Sequence, residues 1–157
     1  VEGMILKIKE KFDKVDLIAG VATGAIAYGV LVAEKLGLPF VYVRPKPKDH
    51  GMGNQVEGYL PDNANVVVIE DLISTGMSSL GAVDALNKAG AHVLGMVAIF
   101  SYNFPQSRRS FEYANVELHT LSDYDTLVDV ALATKYIEEK DVEMLREWRY
   151  SPETWGK

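Results

Sequence analysis

A parallel α/β sheet flanked by helices is the fold class this sequence predicts, and three observations carry it. Strand-like apolar runs alternate with helix-period segments from end to end, the pattern of right-handed crossovers between parallel strands. The run Val66-Val67-Val68-Ile69 is apolar without a break, as a strand covered on both faces must be. The 157 residues show no internal repeat, low-complexity tract or linker, so residues 1–157 read as a single domain long enough to bury a real core.

The elements follow in order. Met4, Ile5, Ile8 and Phe12 form a helical stripe, which predicts a helix over 1–12. Residues 15–19 read as a strand and 20–24 as a glycine-bounded turn. A helix is expected over 26–36, stopped by Gly37, and a strand over 40–43. Residues 45–54 form a polar loop with proline and glycine near its ends, and 55–60 close a small hairpin. A strand starting at Val66 and a helix over 77–89, stopped by Gly90, come next. Residues 92–100 read as a strand, 105–114 as a short helix and 116–120 as a short strand. Ser122 with Asp125 opens a helix running to 134, and a last amphipathic helix covers 141–149.

Composition narrows the function classes. The apolar fraction is 48% and the charged fraction 24%, ordinary for a globular protein. A formal net charge of −6 disfavours nucleic acid as a partner. The chain has no cysteine, which excludes disulfides, thiolate metal sites and cysteine nucleophiles. His50, His92 and His119 are too scattered for a zinc site. No apolar run approaches the roughly 20 residues of a membrane span, and no charged-then-apolar leader is present, so a cytoplasmic home and no membrane partner are expected. The chain opens Val1-Glu2-Gly3-Met4 with no initiator, which reads as the loss of something upstream.

The richest stretch for chemistry runs from Val66 to Ser79. The buried strand delivers its C-terminal end to the place where open α/β sheets bind ligands. Ser74, Thr75, Gly76, Met77 and Ser78 then offer backbone amides and hydroxyls to a phosphate at a helix N-terminus. Glu70 and Asp71, just before them, suit the hydroxyls of a sugar carrying that phosphate. The loop lacks both Gly-Lys-[Ser/Thr] and G-x-G-x-x-G, so a phosphorylated sugar fits better than ATP or NAD. An Asp71 that merely caps the following helix would leave Glu70, Ser74 and Thr75 without a role. This order of apolar strand, two acids and Ser/Thr-Gly loop resembles the phosphoribosyl-pyrophosphate (PRPP) motif of the type I phosphoribosyltransferases. The resemblance implies their Rossmann-like fold, with a flexible loop over the active site.

Two further segments read in that light. Gly20-Val21-Ala22-Thr23-Gly24 joins a buried strand to a helix. Its small residues let an anion approach the backbone, and Thr23 and Gly24 suit the pyrophosphate half of PRPP. Arg44, Lys46, Lys48 and His50 crowd a loop with glycines behind them; Arg44, Lys48 and His50 could neutralise departing pyrophosphate as the loop folds over the site. Lys48-Asp49-His50-Gly51, with Gly20 to Gly24 and Phe40-Val41-Tyr42-Val43-Arg44, is similar to the orotate phosphoribosyltransferase family from about residue 15 to the Trp155 end.

That resemblance implies transfer of a phosphoribosyl group from PRPP to orotate, with Lys48, His50 and Asp71 as catalytic residues. Arg44, Lys48, His50, Thr23 and Gly24 would bind pyrophosphate, Glu70 and Asp71 the ribose hydroxyls, and residues 74–78 the 5′-phosphate. Ser74 would also reach orotate, with Tyr102 a weaker candidate. The implied cofactor is magnesium, held by substrate and water rather than directly by protein, with Asp71 the candidate contact through water. A homodimer sharing loop 45–54 between subunits is also implied. Three departures stand out. Pro45 replaces a common lysine; no arginine stands near Ser101, Tyr102 or Asn103; and the N-terminal hood over the base is absent. A PRPP-binding regulator without turnover and a purine-base phosphoribosyltransferase are the alternatives. His92 reads as a surface residue and His119 as a satisfied structural one. Trp148 and Trp155 read as packing anchors, Tyr136, Ile137, Met144 and Leu145 as a buried helix face, and residues 138–141 as a solvated turn.

Overall fold

The computed structural model describes residues 1–46 and 54–155. Its elements are α1 (Glu2–Lys11), β1 (Leu17–Val21), α2 (Ile26–Leu36), β2 (Phe40–Val43), β3 (Val56–Glu57), β4 (Asn65–Ile73), α3 (Met77–Lys88), β5 (His92–Ser101), α4 (Pro105–Tyr113), β6 (Leu118–Asp123), α5 (Tyr124–Ala133) and α6 (Glu139–Tyr150). The strands form one sheet in the order β3-β2-β1-β4-β5-β6. Every pairing is parallel except β2 with β3. The sheet is therefore mixed at one edge, where β3 lies antiparallel against β2.

From β1 the chain moves outward to β2, and from β4 it moves the other way to β5 and β6. The order thus reverses between β1 and β4, which opens a crevice at their C-terminal ends. Leu17, Ile18, Ala19, Val66, Val67, Val68, Ile69, Met96, Val97 and Ala98 are fully buried, because the three central strands are covered on both faces. Gly37 ends α2 in the left-handed region, φ 68°, as its sequence position predicts.

Several boundaries differ from the sequence expectation, each for a pairing reason. β1 starts later and runs on through Gly20 and Val21, which pair with Tyr42 and Val43. β4 does not stop at Ile69: Glu70, Leu72 and Ile73 pair with Ala98, Phe100 and Ser101 of β5, so the acids sit inside the strand. β6 shifts onto Leu118–Asp123 because it pairs with β5 from Met96 to Ser101. Asp123, not Ser122, caps α5 by accepting from the Thr126 amide at 2.8 Å. The Glu138 and Asp141 side chains cap the start of α6 reciprocally rather than lying in a solvated turn. Tyr136 is 89% exposed, Met144 is 43% exposed, and α6 carries no buried residue. The expected apolar seal at this end is therefore replaced by an aromatic cluster around Trp148.

Candidate active site

Both turns flanking the crevice start from strands the core holds rigidly. Residues 22–25 link β1 to α2, and residues 74–76 link β4 to α3. Together they line a cavity of about 240 Å³ that includes Thr23, Gly24, Glu70, Asp71 and residues 74–79. The Ala22–Thr23 peptide is cis. A methyl group on Gly24 would lie 2.6 Å from Asp71 Cγ, so the first turn closes directly against the acid and a side chain there would push the Asp71 carboxylate aside. Thr23 and Gly24, predicted to meet pyrophosphate, are thus brought together with Glu70 and Asp71, predicted to meet ribose.

The two acids have different surroundings. Glu70 is 5% exposed. Its Oε2 accepts from the Ser79 hydroxyl at 2.8 Å and its Oε1 from the Asp71 amide at 3.0 Å. Burial, reinforced by the neighbouring Asp71 carboxylate, pushes its pKa up to about 7, against the opposing effect of the Ser79 hydrogen bond. Asp71 is half-buried and accepts from the Leu72 amide at 2.9 Å. The acid with room for a sugar hydroxyl is therefore Asp71, while Glu70 lies behind it, tied to α3.

Beyond the acids the backbone is open. Among the described residues, no carbonyl or side chain accepts from the amides of Ser74, Thr75, Gly76, Met77 or Ser78. Gly76 has φ 83°, and a Cβ there would meet the Phe111 ring at 2.8 Å. The tight left-handed turn is thus pressed onto the buried Phe111. Unengaged amides at the N-terminus of a twelve-residue helix form a ready anion site.

Arg44 lines an adjoining cavity of about 210 Å³ with Ala22, Met77 and Ser78, which brings it beside both turns. Its Nη1 also pairs with Glu57 Oε1 at 3.3 Å. Lys48 and His50 lie outside the described residues.

Tyr102 sits on the other side of Ser74. Its ring stacks on Phe104 (centroids 5.2 Å apart, planes 8° apart) and meets Phe100 and Trp148 edge-on at 5.4 and 5.6 Å. A cavity of about 540 Å³ runs from Ser74 and Thr75 across Tyr102 and Phe104 to Arg109, Trp148 and Arg149. No local sequence pattern marks Phe104, Arg109, Trp148 or Arg149 for this cavity. The only sequence signal for them is the density of aromatic residues and arginines after Phe100, which does not say that β5, α4 and α6 converge.

Among the described residues, no group of three His, Asp or Glu side chains could hold a metal ion. The donor set is the open Asp71 carboxylate, with Glu70 buried and held toward its neutral form. That set fits a magnesium ion carried mainly by a phosphorylated substrate and water, and does not fit an all-protein cage. No helix among the described residues is long and apolar enough to cross a membrane.

The Phosphoribosyl transferase domain family matches residues 1–133. An orotate phosphoribosyltransferase of Porphyromonas gingivalis is 61% identical over 149 residues, covering 95% of this chain and 71% of that protein. One of Enterococcus faecalis is 53% identical over 156 residues, covering 99% of this chain and 74% of its own. Among solved structures, orotate phosphoribosyltransferase from Aeropyrum pernix superposes with TM-score 0.74 at 25% identity, over 86% of this chain and 74% of that one. An adenine phosphoribosyltransferase of Saccharomyces cerevisiae gives 0.66 at 26% identity, over 76% and 75%. The shared core therefore accompanies different bases, and the base must be read from what surrounds the core.

Proposed function

The chain belongs to the phosphoribosyl transferase domain family, among its orotate phosphoribosyltransferases, and on that premise we infer that it transfers the 5-phosphoribosyl group of PRPP to orotate, giving orotidine 5′-monophosphate and pyrophosphate in pyrimidine biosynthesis. The observation that carries the sugar-phosphate half is the row of five unengaged amides directly behind Asp71. Identities of 61% and 53% over nearly the whole chain support orotate as the acceptor.

Orotate N1 attacks C1′ of the ribose as the bond from C1′ to pyrophosphate breaks. The attacking nitrogen is anionic, so no protein nucleophile is required. The chain contributes position and charge. The amides of residues 74–78 hold the 5′-phosphate, and Asp71 takes the ribose hydroxyls with Glu70 fixed behind it. Thr23 and Gly24 face the pyrophosphate. Arg44, Lys48 and His50 balance its charge as it leaves. Magnesium bound with the substrate supplies further neutralisation of the pyrophosphate. A cytoplasmic homodimer in which loop 45–54 serves the neighbouring subunit completes the reading.

Incubating the protein with PRPP and, in turn, orotate, hypoxanthine, xanthine and adenine tests this. Orotidine 5′-monophosphate forming from orotate alone is the expected result. PRPP binding without any nucleotide product would identify a regulator instead, and product from a purine would reassign the base.

A further inference from the structure

The two cavities on either side of the phosphate loop share Ser74 and Thr75. The larger continues the site beyond the ribose, and its wall is built for a flat, anionic ring. Tyr102 and Phe104 form a stacked pair with Trp148 edge-on to both, a surface suited to an aromatic heterocycle. Arg149, from α6, lines the same space with its side chain 11% exposed. Its Nη1 is anchored twice, donating to the Asn103 carbonyl at 3.3 Å and pairing with Asp125 Oδ2 at 3.2 Å. Its Nε is buried with no partner, alone in this among the buried side-chain nitrogens and oxygens of the described residues. Nη2 makes no hydrogen bond with any described residue. Nη2 is thus the guanidinium nitrogen left free to donate a charge-assisted hydrogen bond to a carboxylate entering the cavity.

We propose that Arg149 recognises the carboxylate of the pyrimidine, with Asn103 and Asp125 as its positioning groups and the Tyr102–Phe104–Trp148 wall as the ring's seat. The proposal rests on the orotate reading above and adds the residue that separates orotate from uracil. Arg109 also lines the cavity, but it is exposed and, among the described residues, has no partner that fixes it.

The test is equilibrium binding of orotidine 5′-monophosphate and of uridine 5′-monophosphate, which differ only in that carboxylate. Wild-type protein prefers the first. Arg149→Gln weakens its binding by about 10- to 100-fold, the scale of a charge-assisted hydrogen bond, and leaves uridine 5′-monophosphate affinity unchanged. Arg149→Lys, which keeps the charge without the fork, falls between. Arg149→Gln retaining the preference, losing both nucleotides equally, or being matched by Arg109→Gln overturns the inference alone. Wild-type protein that binds neither nucleotide overturns the inference together with the orotate reading.

Discussion

Replacing Glu70 by glutamine keeps the side chain's shape and removes its titration, and the structure sets the size of the effect. The carboxyl is buried against Ser79 and beside Asp71, and its pKa rises from 4.5 to about 7. Each tenfold change in proton affinity corresponds to roughly 1.4 kcal/mol, so the ceiling on the stability effect is about 3 kcal/mol. The sign follows from proton counting. Below pH 4.5 the folded and unfolded chains both hold the proton. Between 4.5 and about 7 the unfolded chain releases it while the folded chain keeps it, so rising pH destabilises the fold. Above about 7 both states have lost it and the penalty stays constant. Urea denaturation of wild type and Glu70→Gln at a series of pH values from about 4.5 to 8 reads this directly. Groups not in contact with Glu70 titrate alike in the two proteins, so their difference in unfolding free energy isolates the Glu70 carboxyl together with its coupling to Asp71. The variant should gain on wild type between pH 4.5 and about 7 and then hold level, by up to about 3 kcal/mol in all. A difference that stays flat with pH would refute the buried, proton-holding Glu70 and with it the division of labour between the two acids.

Asp71→Asn should weaken PRPP binding by about 10- to 100-fold, the range for losing a charge-assisted hydrogen bond; calorimetry checks it, and unchanged affinity would remove Asp71 from the sugar site. Lys48→Ala should lower kcat by roughly 10²–10³-fold at an unaltered thermal midpoint, measured by steady-state turnover with orotate. Gly76→Ala places a side chain at φ 83° and 2.8 Å from the Phe111 ring, so it should destabilise the fold by about 1–3 kcal/mol and weaken phosphate binding with it, as followed by thermal denaturation with and without PRPP.

Much of the site was legible because its signals are local. An apolar run, two acids and a small-residue loop fall within fourteen consecutive residues, 66–79, and their order alone implies strand, crevice and helix start. Gly37 and the strand over 40–43 were equally readable, since a helix stop and a β-branched run need only their neighbours. The boundaries at 15–19, 66–69 and 116–120 were less so, because strand ends are decided by the partner strand. Glu70 to Ile73 stays extended because β5 lies alongside, a fact carried by residues about 28 positions away.

What the sequence settled by itself is the layout: paired acids followed by a small-residue loop at the switch point of a largely parallel sheet, in a chain without thiol chemistry. Only the tertiary structure distinguished those acids. Adjacent residues in a strand point to opposite faces, and α3 covers the face of Glu70 while Asp71 remains half-open. It alone, too, assembled the aromatic wall with Arg149. Tyr102, Asp125 and Arg149 come from different segments, and a side chain's neighbours across space are set by how the layers pack, which no local pattern encodes.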